Sequence, residues 1–141
     1  MRKQPQQQRA KKIVDDILEA AQLCIAEQGI VQVTTPKIAE KSGVSVGSIY
    51  QYFENKDEII QELLRRKSEN LGMAFKQIAI AQENLTLAEI VPISIQFGFD
   101  MMKADDGFFM EVLKHWHGYN NSEAAQILEK HFFEVGMYVF N

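Results

Sequence analysis

The chain has 141 residues, 46% of them hydrophobic, with three prolines and eight glycines, which can bury one sizeable core but not two independent domains of usual size, and which excludes disordered and collagen-like classes. Fifteen Lys and Arg against nineteen Asp and Glu give a net charge of −4. The total does not point to nucleic acid, yet residues 1–67 hold eleven basic and nine acidic side chains while 68–141 hold four and ten, as suits halves that face different partners.

The lone cysteine, Cys24, lies between Leu23 and Ile25; it excludes an internal disulfide and reads as a core thiol in a reducing compartment. No apolar run approaches the roughly 20 residues of a membrane span, and the start lacks the apolar stretch of a signal peptide. The expectation is a cytoplasmic protein with no membrane partner.

The first twelve residues, Gln-rich and basic, predict a mobile arm. From Ile13, apolar residues recur at three-and-four spacing through Ile17, Cys24 and Ile25, predicting a helix that stops at Gly29. Thr35-Pro36 predicts the start of a short second helix over 36–41, with Thr35 as cap. Gly43 supplies a turn, and Ser45 can cap a third helix from Val46 to about Tyr52. Two short helices joined by a glycine turn form a helix-turn-helix. Asn55 followed by Glu58 opens a long fourth helix to about Ala81, weakened at Gly72, and Thr86-Leu-Ala-Glu89 is a complete capping box for a fifth to about Lys103, with Pro92 a site for a kink. Asp105-Asp106-Gly107 breaks this pattern, with the aspartates available to cap a helix to about Trp116. A last helix starts near Ser122 and is still apolar at Phe140.

Residues 34–56 read TTPKIAEKSGVSVGSIYQYFENK. With a helix ending at Gly29, then Thr35, Ile38-Ala39, Gly43-Val44-Ser45, Gly47-Ser48-Ile49-Tyr50, Tyr52-Phe53 and Lys56, this stretch resembles the DNA-binding end of the tetracycline-repressor (TetR) family of bacterial one-component regulators. The resemblance runs from about Ile13 to Ile60 and thins after Arg65. It implies an all-α fold in two parts: an arm and three-helix helix-turn-helix DNA-binding domain over 1–55, and an antiparallel helical ligand-binding and dimerisation bundle over 56–141. Family members usually continue through two further helices that build the dimer interface, so this chain reads as an incomplete second domain. The function implied is a ligand-responsive repressor whose homodimer binds a palindromic double-stranded operator.

The residues support that reading on their own. Val46, Gly47, Ser48 and Gln51 can face a major groove while Ile49 and Phe53 face inward, and Gln51 suits a bidentate pair with adenine. Tyr50 and Tyr52 flank Gln51 on a two-turn helix, so at least one should present its hydroxyl to phosphate; the resemblance implies that both contact DNA, with Tyr52 and Lys56 on the backbone. Ser45 joins the set at the start of the same helix. Thr35 and Lys37 sit at a helix start that attracts phosphate, and Arg2, Lys3 and Arg9 of the arm can reach DNA.

In the second half Phe97, Met101, Phe108, Phe109, Trp116 and Tyr119 form an aromatic and methionine-rich stretch suited to an adaptable apolar cavity. The ligand expected there is an apolar or cationic small-molecule inducer, since residues 68–141 contain no arginine for a phosphorylated one. His115 and His117 point to different sides of a helix, against a shared metal. With no Ser/His/Asp, Cys/His, paired-carboxylate or phosphate-loop arrangement, neither an enzyme nor a cofactor is expected. The rival reading is a helical interaction module or enzyme domain in which 34–56 only packs.

Overall fold

The computed structural model describes residues 1–2, 7–81, 84–118 and 122–140. Among these described residues seven α-helices follow in chain order: α1 Gln8–Gln28, α2 Thr35–Ser42, α3 Val46–Tyr52, α4 Lys56–Ala81, α5 Leu87–Lys103, α6 Phe108–Lys114 and α7 Glu123–Phe140, with short 3₁₀ turns at Asp105–Gly107 and Trp116–Gly118. No strand occurs among the described residues.

Local chemistry sets most of the boundaries. Gly29 ends α1 at φ 82° and Gly43 ends α2 at φ 74°, its N–H donating to Ala39 O, a left-handed geometry that glycine adopts without a Cβ clash. Asn55 accepts from Glu58 N at 3.0 Å, while Glu58 reaches back to Glu54 N at 2.6 Å rather than to Asn55. At α5 the Glu89 carboxylate accepts from the backbone N–H of Thr86, as the capping-box pattern requires, and from its hydroxyl as well. α5 runs through Pro92.

Several expectations are corrected. The arm is shorter than the twelve residues expected, because α1 already starts at Gln8. The cap of α2 is Thr34, whose hydroxyl accepts from Lys37 N at 3.3 Å; Thr35 is instead the first helical residue, 6% exposed, because the proline occupies the second helical position as comfortably as the first. Asp105 and Asp106 cap nothing: α6 starts from Gly107 without a side-chain bond, and Asp105 pairs with Lys67 at 2.6 Å. The helix expected to reach Trp116 ends at Lys114 and passes into a 3₁₀ turn.

One buried cluster joins α1 (Val14, Ile17, Leu18, Ala21, Ile25), α2 (Ile38), α3 (Ile49, Tyr52) and the first half of α4 (Ile59, Ile60, Leu63, Leu64) to Phe108 and Val112 of α6 and Ala124 of α7. Cys24 belongs to it, and burial pushes its thiol up, as the sequence suggested. Further along, α4 packs along α7. There Gly72 is not a weak point but a close-approach site: a Cβ on it would overlap the His131 imidazole. A smaller cluster pairs Phe75 and Ala79 with Phe97.

Candidate nucleic-acid interface and apolar cavity

α3 divides its side chains by period. Ile49 and Phe53 are fully buried, whereas Gly47, Tyr50 and Gln51 are exposed and Val46 and Ser48 half-buried. A Cβ added at Gly47 would meet nothing within 4 Å, so this chain's own packing does not demand glycine there. Ser45 caps the helix by accepting from Ser48 N at 3.1 Å, and its hydroxyl donates to Ser48 Oγ at 2.9 Å. The two tyrosines part company: Tyr50 is 41% exposed and Tyr52 is 5% exposed. Tyr52 lies on the same inward side as Ile49, three residues apart, so its ring serves the core first.

The α1–α2 loop gathers groups the sequence did not connect. Lys56 Nζ donates to Ile30 O at 3.1 Å and Val31 O at 3.4 Å, and Lys37 Nζ donates to Gln32 O at 3.0 Å. Both lysines assigned to phosphate therefore also clip this loop. Glu111 of α6 accepts from Ile30 N at 3.1 Å, and a Cβ on Gly29 would lie 2.8 Å from its carboxylate. An 81-residue separation hides that bond from any local pattern. The arm is not wholly free: Arg2 N donates to Tyr52 O at 2.6 Å and its guanidinium to Tyr50 O at 3.4 Å, at the C-terminal end of α3, where cations are favoured. Lys3 lies outside the described residues.

In the second half a cavity of about 190 Å³ opens between α4, α5, α6 and α7, with Leu64, Ser68, Met101, Phe109, Val112 and Leu128 among its walls. Of the expected lining, Met101 and Phe109 are present. Phe97 and Phe108 do not line it: Phe97 turns to Phe75, ring centroids 5.2 Å apart, and Phe108, at the first position of α6, is fully buried under Lys67 Nζ, 5.3 Å above its ring. The side chain of Trp116 and all of Tyr119 lie outside the described residues. Leu64, Ser68, Val112 and Leu128 were missed because an aromatic count cannot see which aliphatics four helices bring together. His115 Nδ1 sits 3.0 Å from its own helix's Glu111 O.

A helix-turn-helix with an outward polar face, packed on a helical bundle with an apolar cavity, is the architecture of a DNA-binding regulator. The sequence profile of bacterial regulatory proteins of the tetR family matches residues 17–63. The fatty acid metabolism regulator protein of Bacillus subtilis is 40% identical over 75 residues, 50% of this chain and 39% of that protein. The fatty acid degradation regulator FadR of Bacillus halodurans superposes with a TM-score of 0.66 at 26% identity, over 89% of this chain and 67% of the other. FadR of Bacillus subtilis, solved in complex with stearoyl-CoA, gives 0.64 at 27% identity, over 89% and 65%. By these matches the chain resembles TetR-family regulators, with the family profile confined to the helix-turn-helix segment, residues 17–63. It spans 39% of the length of the first of these relatives, and no helix among its described residues is long and apolar enough to cross a membrane.

Proposed function

We propose that this chain is a ligand-responsive transcriptional repressor that binds a palindromic operator as a homodimer, α3 entering the major groove. The observation that carries the reading is the division of α3, with Gln51, Tyr50 and Gly47 outward over a buried Ile49–Phe53 anchor. Gln51 is the base reader; Val46, Ser48 and Tyr50 line the same face; Ser45, Lys37 and Lys56 approach phosphate. Thr35 and Tyr52 support this face from beneath. Release follows from the loop at Ile30: Val112, on the cavity wall, adjoins Glu111, so a ligand that displaces α6 pulls on the link between α1 and α2. A shifted helix-turn-helix loses base and phosphate contacts together, because half-site spacing on the duplex is fixed.

The test is selection of DNA from a random pool by the purified chain, followed by titration at several salt concentrations. A recovered palindrome whose log affinity falls linearly with log salt, by about 0.9 per phosphate contact, is expected. No enriched sequence, or binding indifferent to salt, overturns the reading.

A further inference from the structure

The last turn of α3 is held by a residue far from it in sequence. Every α-helix ends on carbonyls that its own N–H groups cannot reach, and in a helix of seven residues these are a large share of the whole. Ile49 O accepts from Phe53 N at 3.0 Å. Two of the carbonyls that follow are taken by Arg2, whose backbone N–H donates to Tyr52 O at 2.6 Å and whose guanidinium donates to Tyr50 O at 3.4 Å. A cation at this end also complements the helix dipole. Arg2 thus acts as a C-terminal cap supplied by the arm, 48 residues from Tyr50.

The arm is anchored at the same point. Met1 packs against the main buried cluster and lines one small pocket with Glu58, Gln61 and Arg65 of α4 and Glu123 and Ala124 of α7, so Arg2 is held from its own side as well. The two carbonyls it takes belong to the residues on either side of Gln51. Reading a base edge requires the reading group to be held within about 0.5 Å of its productive place, and a two-turn helix has little stability of its own with which to hold it. Ile49 and Phe53 anchor the inner side of α3, and its last carbonyls are left to Arg2. We propose that Arg2 is a positioning residue for operator recognition, which clasps the last turn of α3 and so aims Gln51 instead of contacting DNA itself. This rests on the reading of α3 as the helix that reads bases. The other use of the same side chain, a phosphate contact from a free arm, leads to opposite results.

Titration of wild type, Arg2→Ala, Gln51→Ala and the double variant with the selected operator and with random DNA, at several salt concentrations, separates the two. Arg2→Ala is expected to weaken operator binding about fivefold, a part of what a base-reading pair supplies, to weaken random DNA less than about twofold, and to leave the salt slope unchanged because no phosphate contact is lost. In the Gln51→Ala background the same substitution should cost less than about twofold more, since no amide is left to aim. Hydrogen exchange without DNA reads the clasp directly: the Tyr52 and Phe53 amides should exchange about threefold faster in Arg2→Ala, with the melting temperature unchanged. A loss shared equally by random DNA with a salt slope lower by about 0.9, a loss undiminished beside Gln51→Ala, or unaltered exchange in α3 overturns the proposal. A chain that selects no operator removes the reading of α3 and this role together, whereas a specific operator that Arg2→Ala binds as tightly as wild type removes this role alone.

Discussion

Gln51 and Gly72 show how differently two residues on helices earn their identity. Gln51 is exposed and no contact among the described residues requires it. Gln51→Ala is expected to leave stability unchanged, to weaken binding to the selected operator by about 1–3 kcal/mol and to leave binding to random DNA almost untouched; equal losses on both, in a gel-shift titration, would show that it does not read bases. Gly72 is held by packing alone. Gly72→Ala drives a methyl group into the His131 ring, and forcing a core apart in this way costs about 1–3 kcal/mol, to be read as a lower midpoint in urea. At this scale the sequence was legible wherever chemistry is local. The span of α3 and the inward turn of Ile49 and Phe53 follow from a helical period and a serine cap. The choice between Thr34 and Thr35 does not, because both can cap and proline tolerates either register. Nor does the role of Gly72, since the residue that needs the space lies 59 positions later on another helix.

Between elements, charge does what apolar packing does not. Glu62 of α4 accepts from Arg65 and Arg66 at 2.9 Å, and Arg66 continues to Asp15 of α1 at 2.9 Å. Burial pushes the Glu62 carboxyl up, but the hydrogen bonds from Arg65 and Arg66 outweigh it and hold the group below the ordinary carboxylate range. The unfolded chain therefore takes up this proton first. The network's contribution is present above about pH 4.3, the unfolded value, and is lost as pH falls through the folded one. Urea unfolding from pH 7 to pH 3 should show wild-type stability falling on the acid side, with Glu62→Gln starting lower and falling less; parallel curves would contradict this.

Glu111 is the corresponding link at the other end of α1. Glu111→Ala orphans Ile30 N, at a cost of about 1–3 kcal/mol, and is expected to leave DNA and ligand each able to bind while shrinking the effect of one on the other. A ligand that releases the operator equally well from wild type and Glu111→Ala would exclude this route. The helix starts at Asn55 and Thr86 could be read from sequence because a cap is built within four residues. The Glu111 bond and the cavity walls could not, because they join segments whose spacing depends on how α4 meets α1, α6 and α7.

Across the described residues, the apolar surface is not closed. α5 contains no buried residue. Leu87, Val91, Ile95 and Phe99, each four residues after the last, are 50–58% exposed, and Phe133 on α7 is 69% exposed. Apolar stripes of this extent mark association surfaces, in keeping with the proposed homodimer. Sedimentation at micromolar concentration should show self-association that Ile95→Glu together with Phe99→Glu reduces; a stable monomer of the wild-type chain would remove the expectation. Adjacent residues on a helix point about 100° apart, which leaves Phe133 outside; the side chain of Phe132 lies outside the described residues.

The core that runs unbroken from Val14 through Ile49 and Leu64 to Phe108 and Val112 means that α3 and the cavity draw on one reserve of stability. Domains of this size melt in a single cooperative transition when their buried residues form one cluster, so anything that binds the cavity protects α3 from unfolding by mass action. The reverse also holds. A substitution in the cavity wall that costs a few kcal/mol thins the population able to hold an operator without altering a single atom that touches DNA. A variant that fails to repress has therefore lost a signal only if its melting temperature is intact; otherwise it has simply lost the fold.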